Sequence, residues 1–140
     1  MPALNSGELK KALRASGFEI YRASPSEVRL AERVRENLLM DSGVAVRLAE
    51  PLSVAVYVRA EGSKFSGEAA EQLYARARER AEALRVRGFE EHESRAVPIW
   101  DPGDRTQLLD TWYEVCFVKP VEASELDQTL RDALSFEKTA

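Results

Sequence analysis

The sequence contains very few of the residues that build metal sites and covalent cross-links. Among 140 residues there is one cysteine and one histidine. A disulfide within the chain is therefore excluded, and the nitrogen and sulfur ligand sets that zinc prefers cannot be assembled. The glycines form neither a dinucleotide-binding motif nor a P-loop motif. These shortages predict a protein that holds no metal and no other cofactor.

Long apolar runs and an excess of positive charge are also missing. No segment approaches the roughly 18 apolar residues of a membrane span, and the start, MPALNSGELKK, lacks the apolar core of a signal peptide. The formal net charge is −4, which gives the chain no overall attraction to phosphate backbones. We therefore predict a cytoplasmic protein that binds neither membranes nor nucleic acid.

What is present is the composition of a globular domain. Hydrophobic residues make up 44% of the chain and charged residues 31%. A chain of this length can bury a substantial core, and no linker or repeat interrupts it. We predict a single α+β domain over residues 1–140.

The stretch from Ser24 to Arg59 carries the clearest patterns. Ser24, Pro25 and Glu27 match the start of a helix, because they supply a cap, a proline at the first position and the acid of a capping box. A helix is therefore predicted from Ser24 until 41–43, and 44–48 and 52–58 are predicted as two strands of a hairpin. The apolar residues at three- and four-residue spacing in the helix are Val28, Ala31, Val34, Leu38 and Leu39.

The remaining segments are interpreted from the same kinds of caps, breakers and periodicities. Before Ser24, they predict a helix that is capped by Asn5 or Ser6 and ended by Gly17, followed by a strand over 18–22. After Arg59, they predict a helix from Ser66 to about Arg87 that is ended by Gly88, and then two strands over 89–100 and 109–118 that the loop 101–104 joins. The last predicted element is a helix from Ser124, and the tail after Phe136 is predicted to be frayed.

The predicted elements run in the order α-β-α-β-β-α-β-β-α. Without the first helix and the last strand and helix, this order is βαββαβ, the split βαβ pattern of ferredoxin-like domains. We therefore predict a five-stranded, mostly antiparallel sheet of ferredoxin-like type with an extra N-terminal helix and an extra C-terminal strand and helix. The strands that begin at Phe18 and Leu52 are expected to be central, and 44–48 to be an edge.

The hairpin over 89–118 carries the candidate site. If Val97 and Ile99 face the core, alternation places a mixed set on the other sheet face. A histidine beside a carboxylate can move a proton near neutral pH, so this set suits a catalytic or ligand-binding pocket. The other interpretation is a surface that the terminal helices or a partner protein bury. The members of the set are His92, Trp100, Asp110, Trp112, Glu114 and Cys116, of which the thiol is predicted to be packing.

Two pairs of arginines have helical spacing. Arg29 and Arg33 lie one turn apart on a predicted helix, and Arg76 and Arg80 repeat the spacing on another. Each pair could clamp an anion or an acidic partner, and Arg29 with Arg33 is the candidate contact of this kind. Interleaved glutamates give the alternative interpretation of a solvated helix face.

The patterns favour a binding protein over an enzyme without deciding between them. We predict a non-enzymatic α+β protein that acts through a protein partner or through self-association, specifically as a homodimer whose contact uses the sheet or the hairpin from Phe89 to Val118. An aromatic, weakly charged face suits burial. The alternative is a small enzyme or ligand-binding protein with a pocket around His92 and Glu114.

Overall fold

The computed structural model describes residues 5–140, and the first four residues of the start discussed above lie outside them. Helices and strands both occur, as the α+β assignment predicts. The helices are α1 (Ser6–Ala15), α2 (Ala70–Arg80), α3 (Glu82–Val86) and α4 (Leu126–Ser135). The strands are β1 (Ile20–Ala23), β2 (Glu27–Arg35), β3 (Leu38–Arg47), β4 (Ser53–Glu61), β5 (Glu90–Asp101) and β6 (Asp104–Pro120).

The six strands form one open antiparallel sheet in the order β1-β2-β3-β4-β6-β5. The first four strands therefore lie side by side in chain order, and β6 lies between β4 and β5. The prediction of five strands is wrong. β3 is an inner strand and β1 is an edge, which reverses their predicted places, whereas β4 is central as predicted.

The helix predicted from Ser24 is also wrong, because this segment forms β2 and the first part of β3. Ser24 instead begins a turn between β1 and β2, in which its amide donates to the Glu27 carbonyl over 2.8 Å. The side chains of Val28 and Leu30 explain why this segment is a strand and not a helix, since both are fully buried. Residues two apart point to one side of a strand but lie roughly 200° apart around a helix. Val34, assigned to the buried stripe, is exposed.

The absence of this helix changes the topology. β1 passes to β2 through a short turn and pairs with it antiparallel, with Ala23 opposite Val28. The order βαββαβ is therefore not formed at the start of the sheet, and the ferredoxin-like type is not confirmed.

The residues predicted to end that helix form a bulge in β3. Arg29 pairs with Ala45, but Ala31 pairs with Asp41, so β3 carries extra residues between these two pairs. Gly43 has φ +78° and donates its amide to Asp41 Oδ1 over 2.9 Å. A left-handed glycine suits a helix end and a bulge equally well, so the local motif does not distinguish the two.

The chain divides into two compact units. The first comprises the described residues up to Val56 together with Val118–Phe136. In it α1 contacts β1 and β2, and α4 contacts β3. The predicted ends of α1 are confirmed, because Asn5 Oδ1 accepts from the Glu8 amide and Gly17 has φ +94°. Its fully buried side chains include Leu9, Leu13, Val28, Leu30, Val44, Val46, Val54 and Leu130.

The second unit comprises Tyr57–Phe117 and Glu137–Ala140. The helix predicted from Ser66 to about Arg87 is present only from Ala70, as α2 and α3, which meet at Ala81; the predicted start at Ser66 is wrong. Gly88, with φ +94°, follows the end of α3 as predicted. The hairpin of β5 and β6 and its turn over 101–104 are also confirmed. The helices bury a stripe that consists of Leu73, Ala77, Ala81 and Leu84.

The tail after Phe136 is not frayed. Thr139 lies beside Arg59 in a parallel bridge. The Arg59 amide donates to the Lys138 carbonyl, and the Ala140 amide donates to the Arg59 carbonyl, each over 2.9 Å. These two bonds satisfy the backbone amide and carbonyl of Arg59. Arg59 lies beyond Val56, whose pairing with Val44 is the last pair between β3 and β4. The single-domain assignment over 1–140 stays a prediction.

Candidate functional site

The even-numbered residues of β6 define the candidate face in the second unit. Alternation separates them from Tyr113, whose ring packs edge-on against Tyr74 of α2 with ring centres 5.3 Å apart. Asp110 and Trp112 lie on the face away from that contact, and the Trp112 Nε1 donates to Asp110 Oδ2 over 3.2 Å. Glu114 follows in the same alternation.

Asp110 is the most strongly anchored carboxylate of the predicted set. It accepts from the amide and the hydroxyl of Ser63 over 2.9 and 2.8 Å, and from the Thr111 amide over 2.8 Å. The lack of a side chain at Gly62 allows Ser63 to lie this close to Asp110, because a Cβ at Gly62 would lie 3.0 Å from the Thr111 carbonyl oxygen. Desolvation raises the pKa of Asp110, but the hydrogen bonds from Ser63, Thr111 and Trp112 outweigh it and hold the pKa below its usual value. Asp110 is therefore an ionised acceptor at neutral pH.

Trp112 is held by a cation above its ring. The guanidinium carbon of Arg59 lies 3.8 Å from the ring centre, and Arg59 Nε lies 3.4 Å from Glu61 Oε2. The backbone of Arg59 is hydrogen-bonded to the C-terminal tail described above, so both the backbone and the side chain of Arg59 are fixed. Trp112 is half-buried under these contacts.

Glu114 is engaged by a neighbouring strand rather than by the histidine. Arg95 Nε of β5 lies 3.1 Å from Glu114 Oε1, and its guanidinium carbon lies 5.7 Å from the centre of the Tyr57 ring. Arg59 and Arg95 thus place two cations over aromatic rings of one unit. Cys116 is buried, as expected of a packing thiol.

His92 and Trp100 lie outside these contacts. His92 is exposed on β5, and within the described residues its imidazole makes no hydrogen bond or ion pair. Trp100 is exposed next to the turn of the hairpin. The structure therefore brings together Asp110 with Trp112 and gives Glu114 a different partner from the predicted one.

The base of β5 is tied to the helices. Glu91 accepts from Arg78 Nε over 2.8 Å and from Arg85 over 3.3 Å. The hydrogen bond from Arg78 lowers the pKa of Glu91, which stays ionised at neutral pH. The hairpin is thus anchored near Glu91.

Arg29 and Arg33 lie on a strand and not on successive turns of a helix, so their predicted helical spacing is wrong, whereas their role as an anion or acidic-partner contact stays a prediction. Arg29 is ion-paired with Glu27 over 2.8 Å and with Asp41 over 2.6 Å. Arg33 is paired with Glu19 over 2.6 Å and also donates to the Glu36 carbonyl. Each guanidinium is thus engaged by carboxylates of its own unit.

A cavity of 330 Å³ lies elsewhere in the second unit. The residues that line it are Phe65, Arg76, Glu79, Arg80 and Ala140. Arg76 and Arg80 both lie in α2, so their predicted spacing of one helical turn is confirmed. Arg76 is held by Glu68 over 2.9 Å and lies 4.1 Å above the Phe65 ring. Sequence reasoning missed Phe65 and Ala140, because only the pairing of the tail with β4 brings residue 140 to this place.

Comparison of the chain with protein family models, with curated proteins and with solved structures found no match. The fold itself therefore defines the class, an α+β protein with a six-stranded antiparallel sheet. Within residues 5–140, no helix is long and apolar enough to cross a membrane. In the same residues, no three histidine, cysteine or acidic side chains converge in a way that would hold a metal ion.

Proposed function

We propose that the protein is not an enzyme and acts through protein–protein contacts, with self-association through the β5–β6 hairpin as the specific form. The observation that supports this proposal is the apolar end of the hairpin. Trp100, Leu108 and Leu109 are 45%, 50% and 51% exposed. Leu108 and Leu109 are consecutive in β6 and alternate to its two faces, and exposed apolar side chains near one end of a hairpin are typical of a contact surface.

The construction of the hairpin supports the same proposal. Its base is fixed by the Glu91 ion pairs and its inner residues Val115 and Phe117 are buried. A rigid base limits the ordering entropy that a partner has to overcome. The free edge of β5 is partly protected by Pro98, so side chains rather than a full backbone ladder would form the contact.

The alternative pocket around His92 and Glu114 has less support. A general base has to reach the proton that it moves, and Glu114 is already paired with Arg95. We place the protein in the cytoplasm, because a chain with a single cysteine cannot form a disulfide within itself.

Light scattering at a protein concentration of about 50 µM tests the proposal. A weak dimer dissociates into monomers when the protein is much more dilute than this. We expect a mass above the 15.7 kDa of one chain. Leu109→Glu should lower the mass, because the contact would have to bury a charge. Gln107→Glu, which adds the same charge two residues earlier without removing an apolar group, is the matched control and should retain the mass. Equal masses for the two variants would contradict the proposal.

A further inference from the structure

The hairpin formed by the end of β2 and the start of β3 extends beyond the packed part of the first unit. We call residues 32–40 the β2–β3 arm, and all of them are exposed. β1 pairs with β2 only as far as Leu30. The arm thus lacks a neighbouring strand on that side among the described residues.

One face of the β2–β3 arm is apolar. Glu32 lies opposite Met40, and alternation places Val34 and Leu38 on the same face as this pair. Val34, Leu38 and Met40 are 51%, 42% and 48% exposed. Three large apolar side chains thus meet solvent on one face of a two-stranded ribbon, where burial would be favourable.

Two opposite charges flank these side chains. Glu32 lies at the base of the arm. Arg35 lies near its turn, where a register shift between Arg33 and Arg35 interrupts the alternation and places Arg35 opposite Leu38. Neither side chain makes an ion pair or hydrogen bond within residues 5–140. By contrast, Arg33 alternates to the other face, where it lies opposite Leu39 and binds Glu19. Glu32 and Arg35 are therefore the unpaired charges beside the apolar side chains, and the turn of the arm carries a further unpaired carboxylate, that of Glu36, whose backbone carbonyl alone is bound by Arg33.

We propose that this face of the β2–β3 arm binds the same face of a second copy of the chain across a two-fold axis. Two arms stacked in opposite directions bring Glu32 of each copy to Arg35 of the other and bury Val34, Leu38 and Met40 between them. A two-fold contact is self-complementary, and an apolar centre with one acid and one base at its ends meets that condition. This contact is independent of the β5–β6 hairpin.

Charge reversal with mixing tests the two-fold pairing. The contact is small, so we expect a dissociation constant of about tens of micromolar, measured by sedimentation equilibrium. Glu32→Arg and Arg35→Glu should each weaken it on the order of tenfold, because like charges would meet twice in each dimer. An equal mixture of the two variants should restore association, since both contacts then join opposite charges. A mixture that associates no better than either variant alone would overturn the proposal.

Apolar substitutions on the two faces of the arm provide the matched comparison. Met40→Glu should weaken the dimer by roughly a hundredfold, because it replaces a buried apolar side chain of the contact with a charge. Leu39→Glu, one residue away on the opposite face, should leave the dissociation constant within about threefold. Circular dichroism of both variants verifies the fold. Equal effects of the two substitutions would also overturn the proposal.

The same measurements separate this contact from the one in the hairpin. A dimer that Leu109→Glu dissociates and Met40→Glu does not would support the hairpin contact and refute the arm contact. The reverse result would support the arm contact and refute the hairpin contact. If both contacts form, the wild-type mass rises beyond a dimer with concentration, and each variant returns it to a dimer.

Discussion

At the residue scale, Asp110 illustrates how a carboxylate can be fixed for structure rather than for catalysis. It accepts four hydrogen bonds, two from Ser63 and one each from Thr111 and Trp112. Their combined effect exceeds desolvation and lowers the pKa of Asp110. The ionised form is consequently favoured in the folded protein, and its contribution to stability depends on pH.

We expect Asp110→Asn to lower the free energy of unfolding by about 1 kcal/mol at pH 7, because the charged acceptor is lost. A lowered pKa means that this stabilisation is present above the ordinary pKa of the carboxyl and is lost as the pH falls through the folded-state pKa. The difference between variant and wild type should therefore shrink below roughly pH 4. Urea titrations across this range measure it.

Ser63→Ala provides the control, since it removes one donor to Asp110 and leaves the carboxylate in place. In that background Asp110→Asn should have a smaller effect at pH 7. An effect of Asp110→Asn that stays constant with pH would contradict the proposed role of its ionisation.

A second residue-scale prediction concerns Leu30 and Val34, which share a strand but differ in burial. Leu30→Asp should lower the free energy of unfolding by about 4 kcal/mol or more, because an unpaired charge would enter the core. Val34→Asp should change it by less than about 1 kcal/mol, because Val34 is exposed. Denaturation at about 1 µM, below the range of weak association, makes the comparison independent of self-association. A large effect of Val34→Asp would contradict the assignment of β2.

At the element scale, the bulge in β3 marks where the β2–β3 arm leaves the packed sheet. The extra residues lie between the Arg29–Ala45 and Ala31–Asp41 pairs. Ser42 fixes the bulge, because its hydroxyl donates to the Leu30 carbonyl over 2.8 Å. Bulges bend and twist a ribbon, so this one sets the direction of the arm.

Gly43→Ala should lower the free energy of unfolding by about 1 kcal/mol, because a side chain is disfavoured at φ +78°. Gly7→Ala in the first turn of α1 is the matched control. A Cβ there would have only ordinary contact, 3.4 Å from Asn5 Oδ1, so it should stabilise the protein by roughly 0.5 kcal/mol. Thermal melts of both variants check the signs. A stabilising Gly43→Ala would contradict the bulge.

At the scale of the whole molecule, the sheet leaves two hairpins with exposed apolar ends. One comprises β5 and β6, and the other is the β2–β3 arm. The two proposed contacts differ in chemistry. The end of the β5–β6 hairpin carries the apolar side chains of Trp100, Leu108 and Leu109. The β2–β3 arm combines apolar side chains with the charges of Glu32 and Arg35. Association measured with one variant of each surface therefore tests the two contacts separately.

The sequence by itself determined the elements whose patterns are local. The α1 cap at Asn5, the breakers Gly17 and Gly88, the β5–β6 hairpin and the central β4 all follow from caps, left-handed glycines and alternation over short distances. The alternation in β6 also placed Asp110 and Trp112 together.

Only the tertiary structure decided the state of the segment from Ser24 to Asp41. Its cap-like start and its spacing of apolar residues fit a helix, but burial of both Val28 and Leu30 against the first unit requires a strand. Helix propensity is a weak preference of a few tenths of a kcal/mol per residue, and burying two large side chains outweighs it. The partners of Glu114, Arg29 and Arg33, and the pairing of the tail with Arg59, likewise depend on residues distant in the chain that no local pattern brings together.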